Sequence, residues 1–73
     1  MADYDRAVTG ADAVAAARRA LGPDAAERLA LRVAPGAALA GTEDLEALAP
    51  PRSLGVGRGA WLAAFTPLFG EFE

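Results

Sequence analysis

Cysteine, histidine, lysine, asparagine, glutamine and isoleucine are all absent from this chain. Each absence closes a route. Without cysteine there is no disulfide and no thiolate metal site. Without histidine the commonest metal ligand is gone, and so is the side chain that titrates near neutral pH. Without lysine there is no amine nucleophile, and all seven cations are arginines. Hydroxyls are scarce too: Ser53 is the single serine, and Thr9, Thr42 and Thr66 all stand where helix caps are expected. A hydroxyl nucleophile needs an adjacent base, and here only a carboxylate is available. The expectation is that the chain is not an enzyme and holds no cofactor or metal.

What is present is small and apolar. A 73-residue domain buries only ~60% of the surface that its unfolded chain exposes. Such folds sit near zero net stability in first-pass bookkeeping unless something staples them. With disulfides and metals excluded, the remaining staple is a partner, either a larger protein or another copy. The abundance of Ala, Arg, Gly and Pro beside the absence of Lys, Asn and Ile is the mark of a GC-rich coding sequence and points to a bacterial source.

Net charge is −3. Nucleic-acid binders carry a basic patch or stripe, whereas these arginines are scattered among ten carboxylates, so no nucleic-acid partner is expected. Met1-Ala2-Asp3-Tyr4-Asp5 lacks the basic and apolar regions of a signal peptide. No apolar run approaches the ~20 residues that span a bilayer. A cytoplasmic chain with no membrane role is expected.

Along the chain, residues 1–8 read as a frayed lead-in. Thr9-Gly10-Ala11-Asp12 is a helix start, a capping box with Asp in the acidic position. The helix runs to Leu21, with Val14, Ala17 and Leu21 on its inner face, and Gly22-Pro23 stops it. Pro23 opens a second helix whose inner stripe is Ala26, Leu29, Ala30 and Val33. The alternation of Leu29, Leu31 and Val33 leaves a strand over 28–34 as the competitor; the Pro start and Ala-rich flanks favour helix. Residues 42–49 form a short helix with Thr42 as N-cap and Glu43, Asp44 and Glu46 placed favourably for its dipole. Pro50-Pro51 ends it.

Three segments follow from this: an Ala-rich helical body over 1–49, a Pro/Gly hinge loop over 50–59, and an aromatic docking segment over 60–73. The fold class is all-α, a small irregular bundle of three to four short helices with a Pro/Gly-rich loop before an aromatic C-terminal helix. The expected core is Val14, Leu21, Leu29, Val33, Leu45 and Leu48. The C-terminal helix should cover 60 to 65, with a kink or a restart at Thr66-Pro67.

Four of the five aromatics, Trp61, Phe65, Phe69 and Phe72, lie in the last segment. With Leu68 they share one helix face. This stripe either caps the core or docks into a partner groove as an amphipathic helix, and Trp is a favoured interface residue. Arg52 and Arg58, on the Gly-rich loop, are placed to grip a phosphate or carboxylate. The candidate partner-binding set is therefore Trp61, Phe65, Leu68, Phe69, Phe72, Arg52 and Arg58. Gly55-Val56-Gly57-Arg58-Gly59 fits no phosphate-loop pattern and reads as a hinge. The run Ser53-Leu54-Gly55-Val56-Gly57 resembles the short Gly/Leu cargo tags of encapsulin shells, although such tags sit at a chain end and more residues follow here. The functional expectation is a non-catalytic accessory subunit of a larger bacterial complex. The alternatives are a ribosomally synthesised peptide precursor, with a helical leader and a C-terminal core, and a small free-standing inhibitor or regulator.

Overall fold

The computed structural model describes residues 8–69. Four α-helices pack around one core: α1 (Gly10–Ala20), α2 (Pro23–Ala30), α3 (Thr42–Leu48) and α4 (Arg58–Phe65). A two-stranded antiparallel sheet ties the start of the described chain to the middle. Its strands are β1 (Val8–Thr9) and β2 (Ala38–Leu39), in register Val8 to Leu39 and Thr9 to Ala38. The bundle is thus helical as expected. The sheet is an addition: Val8 reads as lead-in, Thr9 as a helix cap and Ala38-Leu39 as part of no element until the two meet.

The start of α1 shows why the sheet forms. A helix leaves four N–H groups without intrahelical partners. Here all four are taken. The Thr9 N–H donates to Asp12 Oδ2 at 3.1 Å and the Asp12 N–H to Thr9 Oγ1 at 3.2 Å, which completes the expected capping box. The Gly10 N–H donates to the Ala37 carbonyl at 2.9 Å and the Ala11 N–H to the Pro35 carbonyl at 3.0 Å. The segment after α2 therefore crosses the end of α1 at close range. A Cβ at Gly10 would run into the Ala34 carbonyl oxygen, so glycine is required for that crossing.

Between α1 and α2 the chain turns at Gly22, whose φ is 106° and ψ 170°. That region is essentially restricted to glycine. The Gly22 N–H closes on the Ala17 carbonyl at 2.9 Å, and Pro23 then opens α2. Ala13, Ala16 and Ala17 of α1 face Ala25, Ala26 and Leu29 of α2, all buried. Small side chains on both helices let the backbones approach closely. Val14 and Leu21, expected inside, are only partly buried against this core. The inner face of α1 is centred on its alanines.

α2 ends at Ala30, short of the expected Val33, and its last turn tightens: the Arg32 and Val33 N–H groups both close on the Leu29 carbonyl. Helix wins over strand for residues 28–30, and 31–34 form no strand but a turn and bend. α3 begins as expected but with Gly41 as its N-cap, and no Thr42 side-chain bond closes it. Instead Asp44 reaches back to accept from the Ala40 N–H at 3.0 Å.

Residues 50–59 hold more structure than a hinge loop. Pro51–Leu54 form a 3-10 turn that buries Leu54, and α4 begins inside the segment at Arg58. After Phe65 the helix tightens into a second 3-10 turn, Thr66–Phe69. Pro67 has no N–H to extend the α-helical ladder, so the chain narrows there without breaking.

Candidate functional site

Trp61 and Phe65 are each 0% exposed. Their rings pack edge to face with centroids 5.1 Å apart and planes 63° apart. The Trp61 indole N–H donates to the Ala49 carbonyl at 3.1 Å. That carbonyl lies just past the end of α3, among the groups a helix leaves unsatisfied. The indole therefore closes α3 while filling the centre of the core. Burying rings of this size removes about 150–250 Å² each from water, and truncating one typically costs 3–5 kcal/mol. Stability for a chain of this length is roughly 4–11 kcal/mol at ~0.05–0.15 kcal/mol per residue. Withdrawing both rings to dock elsewhere would consume most or all of it. In this conformation the two offer no surface to a partner.

The other candidates scatter. Leu68 and Phe69 are partly buried and pack against the same core. Phe72 lies outside the described residues. Arg58 pairs with Glu46 at 3.0 Å in an exposed bridge between α4 and α3. Arg52 is exposed on the first 3-10 turn. Leu54, the apolar centre of the tag-like run, is in the core. Ser53 donates its hydroxyl to the Pro50 carbonyl at 2.7 Å, a local loop bond. Among the described residues no group of three carboxylates could hold a metal ion, and no helix is long and apolar enough to cross a membrane.

A different surface stands out. Leu31 is 87% exposed and Leu48 43% exposed. The two large apolar side chains meet in an open groove of about 530 Å³ that Arg28, Arg32 and Ser53 complete. Its lining comes from the end of α2 and the turn after it, the end of α3 and the first 3-10 turn. On α2 and its tight last turn, Arg28, Leu31 and Arg32 stand at i, i+3 and i+4, one face. That face points away from the Leu29 and Val33 stripe. Leu48, at the end of α3, stays 43% exposed beside the buried Leu45 and Ala49. Among the described residues neither Arg28 nor Arg32 forms an ion pair or side-chain hydrogen bond. The Arg28 guanidinium lies against Gly55, with Nη1 2.8 Å from where a Cβ would stand. Gly55 has φ 74°, so two independent reasons keep that position free of a side chain.

Sequence reasoning missed this surface because Leu48 was counted as core and Leu31 was left unassigned. The signal was available: Leu31 falls about 200° around the helix from Leu29 at 100° per residue, flanked by two arginines. A second, more apolar cleft of about 270 Å³ lies between α1 and α2, lined by Val14, Val33, Pro35 and Arg18 among others. No protein-family model, curated protein or solved structure matches this chain.

Proposed function

We propose that this chain is a small non-catalytic protein-binding subunit, an accessory factor of a larger bacterial assembly, and that it meets protein through the Leu31–Leu48 groove. The observation that carries this reading is the pair of exposed leucines set beside two arginines without described partners. Exposed apolar groups rimmed by polar ones are the mark of a protein-contact surface, and arginine is favoured at such surfaces. The reading keeps the non-catalytic, protein-binding role expected from composition and moves its location. The burial of Trp61 and Phe65 weighs against a peptide precursor, because a cleavable segment over 60–73 would take the centre of the core with it.

A photo-activatable cross-linking residue at position 31 or 48, compared with one at exposed Ala63 on α4, tests the reading in the cells that make the protein. Cross-links to protein are expected from 31 and 48 and not from 63. Cross-links from 63 alone would return docking to the C-terminal helix.

A further inference from the structure

We draw no further inference here: the strongest candidate, the open Leu31–Leu48 groove at the ends of α2 and α3, already carries the proposed function, and nothing in the structure shows which partner covers it.

Discussion

At the scale of single residues, a few side chains have duties that composition alone would not assign. Trp61 is both the largest buried group and the donor that closes α3. Trp61→Phe keeps most of the ring and removes the donor, leaving the Ala49 carbonyl unpaired; a loss of about 1–3 kcal/mol is expected, read from chemical denaturation. Trp61→Ala adds a cavity and should leave the chain largely unfolded by circular dichroism. Thr9→Ala removes one side of a complete capping box and should cost about 1 kcal/mol. Gly10→Ala should cost about 1–3 kcal/mol or more, since the Ala34 carbonyl must move to admit a methyl group. Of these duties the capping box was legible, because its reciprocal bonds are local and depend on spacing alone. The Trp61 bond was not, because its acceptor lies twelve residues away and is found only once α3 and α4 have packed.

At the scale of elements, legibility followed the same division between local and distant causes. The starts of α1 and α2 were readable from Thr9, Gly22 and Pro23, whose effects act within one turn. The end of α2 was not, because Val33 is drawn into the core and shortens the helix. The sheet was invisible for a related reason: two-residue strands carry no periodicity, and each exists only through its contact with the other. Of the aromatic stripe, Trp61 and Phe65 lie on α4 while Leu68 and Phe69 lie on the 3-10 turn after it, and periodicity cannot say whether such a face meets its own core or another molecule. Packing decides that, and α4 gives Trp61 and Phe65 to the core. Truncating the chain after Pro50 should therefore abolish its cooperative thermal transition in calorimetry, although every helix of the nominal body remains. An independently folded body would keep that transition.

For the whole molecule, stability rests on a modest core. The described ion pair, Arg58 with Glu46, is exposed, and such pairs are worth about 0–1 kcal/mol. Moderate salt should accordingly shift the melting temperature very little, which calorimetry over a salt series checks.

The lone indole has one more consequence. Trp61 is the single tryptophan of the chain, and it sits fully buried on α4 with its N–H bonded to the carbonyl just past the end of α3. Its emission should be blue-shifted in the native state and should move to the red as water reaches the ring. The molecule thus carries its own optical gauge of whether α4 is seated, and it needs no label to report it.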